Sequence, residues 1–120
     1  MKCLIADDSK IIRMLLSKIM SNLDWDVVEA EDGEEALEMF QLQNPDLIIM
    51  DWTMPIMEGI DVLYKIRNTK GITPPKFMFC SSNNDANRIR DALKGGADDY
   101  IIKPFDEDII YSKLAILGLV

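Results

Sequence analysis

The chain contains no histidine at all. That removes the commonest general base and the commonest metal ligand, and it excludes phosphohistidine chemistry on this chain. Cysteine is scarce: Cys3 and Cys80 both sit inside apolar, strand-like runs, where a small buried thiol is expected and a disulfide is not. Long hydrophobic runs are missing too, since none approaches the ~20 residues of a membrane-crossing helix. The opening MKCLIADDSK loses its apolar stretch to Asp7 and Asp8 before a signal-peptide core could form. The expectation is a cytoplasmic protein with no membrane insertion. Positive charge is in deficit, with 13 Lys and Arg against 21 Asp and Glu for a net charge of -8. Such a surface repels a phosphate backbone, so direct nucleic-acid binding is not expected. The chemistry left to the chain must use carboxylates, hydroxyls, lysine or a bound ion.

What is present fits one domain over residues 1–120, long enough to bury a core without disulfide or metal staples. Short apolar runs alternate with segments of helical period, the signature of βαβ units around a parallel sheet. The predicted strands are KCLIA (Lys2 to Ala6), WDVVEA (Trp25 to Ala30), DLIIM (Asp46 to Met50), KFMFC (Lys76 to Cys80) and YIIK (Tyr100 to Lys103). The first predicted helix starts after an N-cap at Ser9, turns Ile12, Leu15, Leu16 and Ile19 inward, and ends near Ser21 or Asn22. The second spans Gly33 to Gln43 and stops before Asn44-Pro45. A third is expected from Ile60 to Lys70, closed by Gly71, and a fourth from Asn84 to Lys94 with Gly95-Gly96 as its left-handed cap. The last covers Asp106 to Leu117. Strict alternation without repeats or linkers implies an α/β fold built on a doubly wound five-stranded parallel sheet with five helices.

In such a sheet, sites form beyond the carboxyl ends of the strands. Asp7 and Asp8 end the first run, Asp51 the third and Lys103 the fifth, while Ser81 follows the fourth. Each residue alone has a plain role: an acid favouring a helix N-terminus, a turn aspartate, a cap, a turn lysine. Together they are the polar types that one reaction needs. Clustered carboxylates call for a hard divalent cation such as Mg²⁺, Asp51 offers a nucleophilic oxygen, and Lys103 and Ser81 can hold phosphoryl oxygens. The set reads as phosphoryl transfer onto Asp51.

The motifs LIADDS, IIMDWTMPIMEGIDVL, FCSSNND and ADDYIIKPF, in this order over essentially the whole chain, resemble those of response-regulator receiver domains, the single-domain chemotaxis type in particular. The resemblance implies a flavodoxin-like fold with strand order 2-1-3-4-5 and a cis peptide at Lys103-Pro104. It implies Mg²⁺ held by Asp7, Asp8, Asp51 and the backbone carbonyl of Thr53. Asp51 would be the phosphoacceptor, Lys103 and Ser81 its catalytic partners, and Ser81 with Tyr100 the switch pair. A histidine kinase or histidine phosphotransfer protein would supply the phosphoryl group. With no output domain, the signal would pass to a partner protein through the fourth helix, fifth strand and fifth helix. The chain departs from the usual pattern in having Ser81 for threonine and Ser82 for alanine, with Thr53 and Asn83 at the variable flanking positions. Two other readings are weaker. An aspartate-nucleophile phosphatase needs an acid two residues after the nucleophile, where this chain has Thr53. A flavin or nucleotide binder needs a phosphate loop after the first strand, where Asp7 and Asp8 would repel phosphate.

Overall fold

The computed structural model describes residues 1–120. Five strands, β1 (Lys2–Ala6), β2 (Asp26–Ala30), β3 (Leu47–Met50), β4 (Lys76–Ser81) and β5 (Asp99–Ile102), alternate with α1 (Lys10–Asn22), α2 (Gly33–Gln43), α3 (Gly59–Arg67), α4 (Ala86–Lys94) and α5 (Glu107–Ile116). The sheet is parallel throughout, in the order β2-β1-β3-β4-β5.

Successive side chains of a strand point to opposite faces, and each face needs its own helical cover. Leu4, Ile48, Met50, Phe77 and Phe79 point to one side, where Ala36 and Phe40 of α2, Val62, Leu63 and Ile66 of α3 and Ala92 of α4 close over them. Their neighbours Cys3, Ile5, Leu47, Ile49, Met78 and Cys80 meet Leu16, Ile19 and Met20 of α1 and Ile110 and Leu114 of α5. The two cysteines are free and buried. Burial pushes the Cys80 thiol up to about 12 and that of Cys3 higher still, so neither is a nucleophile at neutral pH.

Local signals fix most of the boundaries. Ser9, Asp32 and Asp106 each accept the amide three residues on, capping α1, α2 and α5. Asn44 closes α2 in the left-handed conformation, φ 48°, directly before Pro45. Elsewhere the structure corrects the expected spans. Helix α3 ends at Arg67, not Lys70: the Thr69 amide tightens onto the Ile66 carbonyl three residues back and its hydroxyl takes the Lys65 carbonyl, while the Arg67 guanidinium reaches the carbonyls of Gly96 and Pro75 and Asp98. Gly71, φ 81°, belongs to the following turn rather than to the cap. Helix α4 starts at Ala86, not Asn84, because Asn83 and Asp85 spend their side chains on amides two residues ahead. Gly95 is right-handed, and Gly96 alone carries the positive φ, 112°. On α1, Leu15 faces solvent with Ile11 and Met14, and Arg13 and Met20 take up the inward face with Leu16 and Ile19.

Candidate functional site

Strand ends at one rim of the sheet gather the polar side chains. Asp7 follows β1 and is almost wholly buried. Its amide donates to the Ala30 carbonyl at 3.1 Å, and its Oδ1 accepts from the Ser9 amide at 2.9 Å. Asp8 beside it is exposed. Asp51 follows β3, its amide bonded to the Ala6 carbonyl at 2.9 Å, so that the tips of the two central strands are laced together. Lys103 lies one residue past β5, not within it as the sequence suggested, and its own amide continues the ladder to the Ser81 carbonyl at 2.9 Å. Its Nζ reaches 2.8 Å from Asp7 Oδ2 and 3.4 Å from Asp51 Oδ2. The Lys103-Pro104 peptide is cis.

These contacts set the electrostatics. Burial raises the Asp51 pKa, the Lys103 charge and hydrogen bond pull it back, and the Asp7 charge adds to the rise. Burial pulls Lys103 down, but its hydrogen bond to Asp7 and the charges of Asp51, Asp7 and Cys80 outweigh that, and its pKa lies above the ordinary value. Carboxylate oxygens of Asp7, Asp8 and Asp51 all lie within 4.8 Å of one another. Oxygens around a Mg²⁺ ion at 2.0–2.1 Å stand about 3 Å apart when adjacent and about 4.2 Å when opposite. The trio therefore fits such an ion after a small contraction, and its all-oxygen donor set suits a hard cation.

Ser81 is the last residue of β4, buried, with its hydroxyl accepting the Asn83 amide at 3.3 Å. Tyr100 on β5 points inward, and its hydroxyl donates to the Asn83 carbonyl at 2.9 Å, so both proposed switch side chains hold the same residue. The phenol pKa is raised by burial, against the lowering effect of Ser81 and Arg88. An aromatic row runs from Trp52 to Phe79 (centroids 4.9 Å) and on to Tyr100 (6.1 Å), with the Arg88 guanidinium 4.8 Å from the Trp52 centroid. The one sizeable concavity, about 480 Å³, is lined by Met1, Asp46 and Lys76 at the opposite end of the sheet, so the acidic site is an open rim rather than a pocket.

The structure thus brings Asp7, Asp8, Asp51 and Lys103 together and puts Ser81 and Tyr100 on the adjoining strand tips. Thr53 lies in the exposed part of the loop after β3. Three features of the rim escaped sequence reasoning. Gly33 and Gly59 pack so closely on the loop after β3 that a Cβ would stand 2.2 Å from the Met57 carbonyl oxygen and 2.3 Å from that of Asp51. Ile56 in that loop has φ 71°, costly for a β-branched residue. Arg13 is buried behind Asp7, and only its place three residues before Leu16, on the inward stripe of α1, hinted at that.

The family model described as "Response regulator receiver domain" matches residues 3–115. The chain is 37% identical over 108 residues to the chemotaxis protein CheY of Bacillus subtilis, covering 89% of this chain and 88% of that protein. It is 38% identical over 116 residues to the probable transcriptional regulator ycf27 of Cyanophora paradoxa, covering 97% of this chain but only 47% of that protein, about half its length. The solved structure of the chemotaxis response regulator CheY4 of Vibrio cholerae superposes with a TM-score of 0.88 at 25% identity, over 99% of this chain and 98% of that one.

Proposed function

Because this chain belongs to the response-regulator receiver domain family, we propose that it is a phosphorylation-driven switch in which Asp51 accepts a phosphoryl group from a histidine kinase or histidine phosphotransfer protein. The observation that carries this reading is the Lys103 ammonium shared between Asp7 and Asp51 at the strand tips. A carboxylate oxygen of Asp51 attacks the phosphorus, the P–N bond to the partner's imidazole breaks, and the released nitrogen takes a proton from solvent. The partner must supply that imidazole, since this chain has no histidine.

Receiver domains generally bind Mg²⁺ at an acidic pocket, and here Asp7, Asp8, Asp51 and the Thr53 backbone carbonyl would hold the ion. Bound there, it supplies positive charge against the phosphoryl oxygens. The protein's own groups complete the neutralisation. Lys103 can turn its ammonium from Asp51 to a phosphoryl oxygen as the carboxylate is esterified. The Ser81 hydroxyl, now bonded to Asn83, can donate to a second. Its departure releases the Asn83 segment that also anchors Tyr100. The surface reshaped in this way is α4 with Arg88 and Lys94, the β5 tip at Tyr100, and α5 with Tyr111 and Lys113. A partner reading that surface, in chemotaxis or a phosphorelay, receives the signal. The setting proposed for this traffic is the cytoplasm.

The direct test is incubation with Mg²⁺ and a small acyl phosphate or phosphoramidate, followed by intact-mass measurement. The unmodified chain should gain a single phosphoryl group and Asp51→Asn none. Stoichiometric labelling of Asp51→Asn would remove Asp51 from the role.

A further inference from the structure

Arg13 is the only buried cation of the chain. Its guanidinium touches none of the carboxylates of the rim. Instead Nη1 donates to the Asp7 backbone carbonyl at 2.7 Å, Nε to Glu29 Oε1 at 3.1 Å, and Nη2 lies 3.5 Å from Glu31 Oε1. One planar fork therefore ties α1, the tip of β1 and the tip of β2. The carbonyl it holds belongs to the Asp7–Asp8 peptide, and the Asp7 amide on the other side is fixed to Ala30. Asp7 thus has its amide, its carbonyl and both carboxylate oxygens engaged. Asp8, by contrast, is exposed, and the peptide plane is what aims it.

We propose that Arg13 is a positioning residue of the acidic rim: by clamping the Asp7 carbonyl against Glu29 and Glu31 it sets the Asp7–Asp8 peptide plane and presents Asp8 to the divalent cation. The inference rests on the Mg²⁺ reading given above. Two glutamates offset the guanidinium charge, so its effect is geometric. Ligands must sit within about 0.5 Å and 10–20° of the productive arrangement, which an unclamped peptide does not guarantee. Groups that orient metal ligands typically contribute 10–100-fold in metal affinity.

Arg13→Lys separates geometry from charge, because an ammonium keeps the cation but cannot span carbonyl and glutamates as a planar fork. Mg²⁺ titrations followed by Trp52 fluorescence should show half-saturation shifted about tenfold upward. The accompanying slowing of small-donor phosphorylation should be recovered at saturating Mg²⁺. A purely structural or electrostatic role predicts half-saturation within twofold of the unmodified chain, and that result would overturn the proposal. Should Arg13→Lys not fold, Glu29→Ala, on a half-exposed side chain, frees one arm of the clamp and should weaken Mg²⁺ several-fold, with the same twofold criterion. The unmodified chain is the control: no Mg²⁺ response there overturns the metal reading and this inference together, whereas a normal response with unchanged variants overturns Arg13 alone.

Discussion

Gly59→Ala adds a single methyl group at the start of α3, where the helix meets the loop after β3. The new carbon would stand 2.3 Å from the Asp51 carbonyl oxygen, 2.9 Å from the Phe79 ring and 3.1 Å from the Trp52 Cα. Two of these neighbours are backbone, so relief requires moving the loop by about 1 Å to reach ordinary contact. Overpacking of this kind costs about 1–3 kcal/mol. The same movement strains the 2.7 Å bond from the Gly59 amide to the Trp52 carbonyl, worth about 1 kcal/mol. Alanine's helix propensity returns at most about 1 kcal/mol, less at a first helical residue. The net loss is about 2 kcal/mol. With about 0.25 kcal/mol/K of unfolding entropy for a chain of 120 residues, the melting midpoint should fall about 8 °C. Calorimetry measures that fall, and small-donor labelling with Mg²⁺ should slow several-fold, because the atom displaced belongs to Asp51, the proposed acceptor. A midpoint within 2 °C of the unmodified chain, by this ~4 °C per kcal/mol scale, would refute the packing argument. A full fall with unchanged labelling would show that the Phe79 ring absorbs the strain and would refute the coupling to Asp51.

Ile56→Asn should raise stability by about 1 kcal/mol, or about 4 °C, since a β-branched residue at φ 71° gives way to one that tolerates the left-handed region. The lost side chain is 74% exposed, so a lower midpoint would count against strain at this position. The raised pKa of Lys103 means its stabilisation is complete below the ordinary 10.5 and is lost as pH climbs through the folded value. Urea midpoints should therefore fall more steeply above that pH in the unmodified chain than in Lys103→Met, and parallel alkaline arms would contradict the ion pairing. Ile11, Met14 and Leu15 form an exposed apolar face on α1, 77%, 60% and 42% accessible. If a phosphodonor protein docks there, Met14→Glu should slow transfer from that protein about tenfold, the loss of roughly one well-buried contact, and leave small-donor labelling intact; equal slowing with both donors would mean the rim itself was disturbed.

Alternation of buried β-branched runs with amphipathic segments made the strand and helix order readable, and the rule about strand tips collected Asp7, Asp8, Asp51, Ser81 and Lys103. These signals are local, each written in a few consecutive residues. What escaped was decided by distant partners. Arg67, the last residue of α3, is held by the carbonyls of Gly96 and Pro75, which no helical pattern near it announces. Leu15 reads as core from its type, yet the inward face of α1 is set by the sheet, which takes Arg13 because carbonyl and glutamate partners await it. Gly59 drew no notice in the sequence because the closeness of Asp51 to it is a property of packing. The strand order came from family resemblance, since alternation alone does not say which parallel strands are neighbours.

The lysine at the rim has a further consequence at the ribosome. It trails Asp7 by 96 residues and Asp51 by 52. At about 5–20 residues per second, about 3–10 s separate the synthesis of Asp51 from that of Lys103. During that interval Asp7 and Asp51 have no Lys103 between them. A chain whose translation stalls short of residue 103 therefore carries the acids of the rim without the lysine that pairs with Asp7 and Asp51.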